Sequence, residues 1–379
     1  MDQRDDVRVV MCAPGFPRSL DDADKPFLLD HARALVAAGI EVIVICPANE
    51  NFPASQNIEG IEVIRVRYAP RRFQTLAATG SMYREARGLK ALLVIPMLLS
   101  MVASTIRQLR QGRTLAYGHW WIPGGLVAVI AAKCSRRQSV VHIHGSDAFI
   151  TKGMALRKLA RLVLRRADVR LAVSEELAQW AKDISGKAIN VLPMPVAFDR
   201  LPALSPVPSD GYILGVGRLV HEKGFDLLID AVELLDKSSR PKIVIVGDGP
   251  ERHVLAERAA RAQVSLRLPG AVPPTELADW YQGALMVAVP SRREGFGLVA
   301  AEAAAAGRAV VGSSVGGLPN IVDSGKSGLL VEPDDVNALC TALKEVDPNW
   351  GLHGPDTVLN LSLREHGDFL RQICDDLKP

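Results

Sequence analysis

The sequence predicts an α/β protein of two doubly wound domains, each a mostly parallel sheet with helices on its faces. Three observations predict it. Apolar strands alternate with helical patterns from end to end. The chain has 379 residues, too many for one ordinary domain, and 48% of them are apolar, so each half can bury a core. Between Leu192 and Asp210 the texture changes, as Pro193, Pro195, Pro202, Pro206 and Pro208 crowd into a stretch with little periodicity. The expected layout is an N-terminal domain over 1–195, a linker over 196–210 and a C-terminal domain over 211–355. A terminal helix over 356–379 completes it, with a crossing back to the N-terminal domain left open.

Taken in order, Arg8–Ala13 reads as a buried strand and Pro14–Pro17 as a turn. Pro26 suits the first position of a helix, and Gly39 suits its end. Further strands are expected at Glu41–Cys46, Ile61–Arg67, Leu115–Gly118 and Ser139–His144. Ala91–Ile106 holds 16 residues without a charge. It falls short of a spanning helix and Pro96 interrupts it, so a core helix is the plain reading. Met154–Arg166 sets Arg157, Arg161 and Arg165 against Leu156, Leu159 and Val163, a basic amphipathic pattern. In the second half, strands are expected at Tyr212–Gly217, Lys242–Gly247, Ser265–Leu268, Leu285–Pro290, Ala309–Ser313 and Gly328–Val331. Helices fall at Phe225–Leu235 and Glu251–Ala262, and a last one spans roughly Leu361–Leu377.

Composition narrows the function classes. The acidic start, Met1–Asp6, is not a signal peptide. The five cysteines are scattered and form no Cys-x-x-Cys, so neither a disulfide framework nor a zinc site is indicated, and a reducing cytoplasm fits. Net charge is +3, yet residues 1–200 hold 28 Lys/Arg against 18 Asp/Glu. Arg65–Arg170 alone holds 20 basic residues and three acidic ones, which points to an anionic partner. Arg84, Arg87 and Lys90 precede the uncharged stretch, and Arg107, Arg110 and Arg113 follow it. Two readings stay open: docking at the inner face of an anionic membrane near a lipid-linked acceptor, or a solvated basic face. Nucleic acid fits less well, because aromatics are only 5% of the chain and do not interleave with the basic residues.

The chemistry-bearing motifs fall at strand ends. Ser291–Glu302 carries Glu294 in a loop and Glu302 about one turn into an Ala-rich helix. The amides of Phe296, Gly297 and Leu298 would be free at that helix start, where anions are favoured. A carboxylate can also accept hydrogen bonds from paired hydroxyls, so a ligand with both phosphate and sugar would suit the segment. Alone, it is also an ordinary loop–helix junction. Gly215-Val-Gly217-Arg218 leads to Lys223, two cations fit for phosphate or simply exposed. The third glycine of a dinucleotide fingerprint is missing. Gly247 and Gly249 suit close approach to a nucleotide or a plain turn, and Leu268–Pro273, with Val272, could offer backbone to a flat base. His142 and His144 share a strand face, but no third metal ligand is evident, and Asp22-Ala-Asp24 reads as capping for the next helix.

Arg218 with Lys223, the Glu294/Glu302 pair and His144-Gly-Ser-Asp147 together resemble motifs of the retaining glycosyltransferases of family four. These have the GT-B fold, two Rossmann-like domains facing across a cleft. The resemblance spans nearly the whole chain. Its most specific block runs from Gly211 to Asp335 and includes Val315–Asn320 and Ser327–Pro333. It implies donor diphosphate on Arg218 and Lys223, ribose hydroxyls on Glu302, and the transferred sugar on Glu294 and the Phe296–Leu298 amides. It further implies His144 at that sugar, Gly15 letting backbone approach the diphosphate, and Asp147, Gly217, Gly247 and Val272 in the donor-binding set. No metal or other cofactor is implied beyond the nucleotide sugar, with UDP favoured and GDP open. The chain departs from the family's Gly-Gly first loop, having Pro14-Gly15-Phe16-Pro17. It also has Pro193-Met-Pro195 where an Asn-Gly pair is common, which touches the hinge. The alternatives are a nucleotide-sugar epimerase of the same fold, a non-catalytic partner subunit and, more remotely, a dinucleotide oxidoreductase.

Overall fold

The computed structural model describes residues 7–377 apart from 51, 77–87 and 152. Met1–Asp6, Arg84 and Arg87 lie outside the described residues. The chain divides into two units, one of 1–195 with 363–379 and the other of 196–362.

The first unit is built on eight strands: β1 (Val7–Cys12), β2 (Glu41–Pro47), β3 (Ser55–Ile58), β4 (Ile61–Val66), β5 (Arg113–His119), β6 (Gln138–Ile143), β7 (Val169–Ala172) and β8 (Asn190–Val191). Their order is β3-β4-β2-β1-β5-β6-β7-β8, and only β3 with β4 is antiparallel. The chain winds outward from β1 to one side and then from β5 to the other, the doubly wound pattern. Strands β3, β7 and β8 have no counterpart among the expected ones. They are short, polar or mixed, and pair only at the sheet's flanks.

Each face of this sheet has its own core. Val9, Met11, Val42 and Val44 point to the side covered by the Pro26–Ala37 helix, whose first residue is proline as expected. The final helix, Leu363–Asp376, packs against that helix. A Cβ on its Gly367 would lie 2.3 Å from the Ala34 carbonyl oxygen, so the contact requires glycine. On the opposite face Val10, Cys12, Ile43 and Ile45 meet Met97 and Met101 of the Val94–Leu109 helix.

That helix corrects the reading of the uncharged stretch. Pro96 falls in its first turn, where a missing N–H costs nothing, so the helix is not interrupted. With the preceding 3-10 turn, helical structure from Lys90 to Leu109 is long and apolar enough to cross a bilayer by length and composition. It nevertheless buries Met97, Met101, Thr105 and Leu109 at a spacing of four, the pattern of a helix lying along a sheet.

The second unit holds β9 (Tyr212–Val216), β10 (Lys242–Val246), β11 (Leu266–Gly270), β12 (Ala284–Val289), β13 (Ala309–Ser313) and β14 (Gly328–Val331), in the order β11-β10-β9-β12-β13-β14. All its pairings are parallel. The stretch read as a linker belongs to this unit. The fully buried Arg308 donates to the Ser205 carbonyl at 3.0 Å and to its hydroxyl at 2.8 Å. The prolines thus mark an irregular segment that satisfies a buried cation rather than a free spacer.

Candidate functional site

In the second sheet the chain goes from β9 outward through β10 to β11, then returns to β12 and proceeds outward the other way. The order therefore reverses between β9 and β12. In parallel sheets the crevice beyond the carboxyl ends of the strands at such a reversal is where ligands bind. The loops that leave β9 and β12 are those carrying Arg218, Lys223 and Glu294.

The Lys223 ammonium donates to Glu294 Oε2 at 2.7 Å, across 71 residues of sequence. The pair keeps partial access to water, with side-chain exposures of 26% and 14%. The Ser291 hydroxyl donates to the same carboxylate oxygen at 3.2 Å, and the Gly295 amide donates to the other at 3.2 Å. Three groups thus hold Glu294 in one orientation. Arg218 is exposed and makes no ion pair among the described residues.

Arg292 stiffens the frame beneath this pair. Its guanidinium donates to both Asp226 oxygens at 2.8 and 2.7 Å, to Asp334 at 2.6 Å and to the His221 carbonyl at 2.9 Å. The Asp226 hydrogen bonds raise its pKa further. An arginine of the β12 loop bonded bidentately to the start of the Phe225–Glu233 helix, and singly to the His221 carbonyl of the β9 loop, fixes their spacing. Sequence reasoning passed over Arg292 because nothing local distinguishes it from Arg293.

The Leu298–Ala305 helix starts where expected. Gly297 precedes it at φ 99°, and no side chain caps it. Among the described residues, the amides of Phe296, Gly297 and Leu298 donate to no backbone carbonyl in a turn or loop. An uncapped helix start of this kind attracts negative charge. Glu302 lies in the second turn and accepts a hydrogen bond from the fully buried Tyr281 hydroxyl at 2.7 Å. Burial raises the Glu302 pKa, against the pull of Tyr281 and of the nearby Arg200. Neither Tyr281 nor Arg200 was legible in the sequence, since each reaches Glu302 from another element.

Other expected donor residues sit less openly. Gly217 has φ 146° and Gly247 φ 143°, both in the positive-φ region that residues with side chains rarely adopt. A Cβ on Gly247 would lie 1.9 Å from the Gly217 carbonyl oxygen, so what Gly247 accommodates is the neighbouring loop. Gly247→Ala is expected to destabilise the fold by about 2 kcal/mol or more, through strain and this clash. A thermal melt of the variant checks it. Gly249 is likewise packed against Leu219 backbone. Val272 is half-buried just past β11.

In the first unit the order reverses between β1 and β5. Gly15 is buried in the loop after β1, and a Cβ there would stand 3.4 Å from Lys25 Nζ. Asp22 and Asp24 do not cap the following helix, which corrects that expectation. Asp22 accepts from the Arg18 amide at 2.9 Å and from the Asp24 amide at 3.1 Å. Asp24 pairs with Lys25 at 2.6 Å, and no side chain caps the helix. Lys25 itself, at φ 58°, makes the turn into it.

His144 follows β6 and is 6% exposed. Its amide donates to Asp147 Oδ2 at 2.7 Å, and the Trp121 amide donates to Oδ1 at 3.1 Å. Asp147 is fully buried, and each of its carboxylate oxygens accepts a hydrogen bond from a backbone amide. Its geometry is that of a brace for His144. Burial raises its pKa well above the usual carboxylate range. The Trp120 ring stacks on His144 with centroids 4.5 Å apart and holds φ 60°, an uncommon conformation for a bulky residue. Residues held in sparsely populated backbone conformations cluster at functional sites.

Behind His144 lies a stack of imidazoles. His119 of β5 is in register with His142 of β6, so a third histidine does join the pair, which corrects the expectation of none. Their ligand atoms lie within 4.8 Å of one another. Both nitrogens of His119 and of His142 and one of His144 are already engaged: His119 with His144 at 2.9 Å and with Met11 sulfur at 3.2 Å, His142 with Tyr117 at 2.9 Å and with the Leu192 carbonyl at 2.8 Å. His31 and His366 extend the stack, 2.9 Å apart. A hydrogen-bonded network accounts for these atoms better than a metal centre does. His119 was missed because the expected strand stopped one residue short of it.

A cavity of about 340 Å³ lies elsewhere: Val7, Arg113, Arg136, Arg137 and Asp168 line it, at the amino ends of β1, β5 and β6. It has no part in the constellation at the carboxyl ends.

Comparison with known proteins adds to this geometry. A family model described as glycosyl transferases group 1 matches residues 210–346, and one described as glycosyl transferase 4-like domain matches residues 25–197. TuaC of Bacillus subtilis (strain 168), named for teichuronic acid biosynthesis, is 28% identical over 356 residues, covering 89% of this chain and 88% of its own. A glycogen synthase of Mycobacterium tuberculosis (strain H37Rv) is 30% identical over 345 residues, covering 83% and 79%. Among solved structures, sucrose-phosphate synthase from Thermosynechococcus elongatus superposes with a TM-score of 0.77 at 20% identity, over 98% of this chain and 99% of its own. Anabaena HepE in complex with UDP gives 0.73 at 17% identity, over 98% and 100%.

Proposed function

The chain belongs to the glycosyltransferases of family four, with the GT-B fold, and from that premise we propose that it moves a sugar from a nucleotide-diphosphate donor to an acceptor with retention of anomeric configuration. The observation that carries the donor half is the Lys223–Glu294 pair at the reversal point of the second sheet, beside an uncapped helix start and the exposed Arg218. A cation and a carboxylate side by side suit a ligand with a phosphate next to hydroxyls.

In this reading Arg218 and Lys223 neutralise the donor diphosphate, and the Phe296–Leu298 amides face the anionic end of the ligand. Glu294, already oriented by Ser291 and Gly295, accepts from sugar hydroxyls. Glu302 accepts from the ribose, with Tyr281 holding its second oxygen. As the sugar–phosphate bond breaks, negative charge grows on the departing diphosphate, and preorganised cations and amides there lower the barrier. No carboxylate is assigned as a nucleophile on the sugar's far face. We therefore favour front-side displacement, with the leaving phosphate taking the acceptor's proton. His144 contributes at the sugar, braced by Asp147. No metal is part of the proposed donor site. UDP is the favoured nucleotide, as in the HepE complex, and GDP is the alternative. A reducing cytoplasm is the compartment this proposal assumes.

Thermal shift with UDP, GDP and their sugars tests the donor, because a ligand that binds only the folded state raises the melting temperature by mass action. A shift with one diphosphate series is expected, and no shift with any at millimolar ligand removes the reading. Arg218→Ala is expected to lower turnover at least about tenfold with little change in stability, since a charge-assisted contact to the leaving group is lost. Unchanged steady-state turnover would count against that role.

A further inference from the structure

We propose that one helical layer of the first unit seats on the surface of an anionic lipid bilayer. The layer consists of the helices Val94–Leu109, Leu126–Ser135 and Met154–Arg166. The Leu126–Ser135 helix touches both of the others, so the three lie side by side.

Two independent features of the layer point to a bilayer. The first is charge. None of the three helices contains an aspartate or glutamate, while they carry one, one and five cations respectively. Arg157, Lys158, Arg161 and Arg165 are exposed and form no ion pair among the described residues. The second is exposed apolar surface. Leu92, in the turn leading into the first helix, is 68% exposed, with Ile95 at 64% and Leu99 at 65%. Ile130, Met154, Leu156 and Leu162 are exposed on the other two helices.

A helix on the surface of a sheet ordinarily turns polar residues outward. Here the Val94–Leu109 helix buries one apolar stripe on the sheet and leaves a second in water. Cations alone would suit any polyanion. Cations beside a row of bare leucine and isoleucine suit an interface whose headgroups are negative and whose interior is hydrocarbon. The surface stands independently of the donor site. Only the corollary, that the acceptor is carried by a lipid, rests on the proposed function.

The test is co-sedimentation of the full chain with vesicles of phosphatidylcholine alone and of phosphatidylcholine with about one-third phosphatidylglycerol. Binding is expected only to the second, weakening about tenfold between about 0.1 and 0.5 M salt. Ile95→Ser with Leu99→Ser should weaken it about tenfold at unchanged melting temperature, since both residues are exposed. Arg157→Glu with Arg161→Glu should remove the salt-sensitive part. Equal recovery from both vesicles overturns the proposal. So does full binding by the Ile95/Leu99 variant together with displacement by soluble RNA or heparin, which would identify a polyanion site. Nucleotide-induced thermal shift on the same variants separates the two readings. A wrong donor assignment abolishes that shift while leaving vesicle binding intact.

Discussion

Lys223→Met is expected to lower kcat by about 10²–10³-fold, the cost of removing a preorganised charge from a developing anion. Its ammonium is 2.7 Å from Glu294, so the substitution also strands a carboxylate that is 14% exposed. The direct test is a double-mutant cycle with Glu294→Gln. If the pair acts as one unit on the donor, the double variant should be little worse than the worse single variant. A pair that merely staples two loops would behave differently. It would lose melting temperature in each single variant while nucleotide affinity and kcat stayed within about twofold. Measuring kcat, nucleotide-induced thermal shift and melting temperature on the same three proteins distinguishes the outcomes.

Acid should unfold the first unit more steeply than a protein of this net charge would suggest. Burial lowers the pKa of five histidines together: His142 to about 4, His366 to about 3, and His31, His119 and His144 well below their usual value. Neighbouring imidazoles add to the effect for all of them except His142. The sign follows from the unfolded reference near pH 6.5. Above that pH both states are neutral and the stack carries no penalty. As pH falls from about 6.5 toward about 4, the unfolded chain takes up protons that the folded stack refuses. Each such imidazole then costs about 1.4 kcal/mol per pH unit. Five acting together would cost several kcal/mol per unit, comparable with the whole stability of an ordinary domain. Asp147 opposes the trend, because burial raises its pKa and it takes a proton sooner in the fold than out of it. Urea unfolding at pH 7.5, 6.5 and 5.5 should give a nearly flat first interval and a steep second one. His31→Leu with His366→Leu, which removes one hydrogen-bonded pair of the stack, should flatten the second interval by about two protons. A stability that changes no faster below pH 6.5 than above would mean that the stack is charged or open to water.

Much of this protein is legible without coordinates. Strand positions in the second half were readable to within one or two residues, because buried parallel strands are short apolar runs bounded by Gly and Pro. The Ala-rich start at Leu298 was readable for the same local reason, as Gly297 marks the only plausible turn into it. The polar strand Ser55–Ile58 was not legible, because it pairs at one edge and needs no apolar signature. The bracing of Asp147 was not legible either, because one of its two backbone donors is the Trp121 amide, 26 residues away.

The amino-acid sequence by itself determined the class of fold, the motifs at the strand ends and the uneven charge, since each is a property of neighbouring residues or of simple counts. Tertiary structure decided that β9 and β12 stand side by side, so that Lys223 and Glu294 meet across 71 residues. It also decided that His31 and His366, 335 residues apart, share a hydrogen bond in the stack behind His144. The physical reason is that a strand's periodicity states which faces are buried but not which strand will lie beside it. That choice is made by the packing of whole sheets, where long-range register brings groups together that carry no local sign of one another.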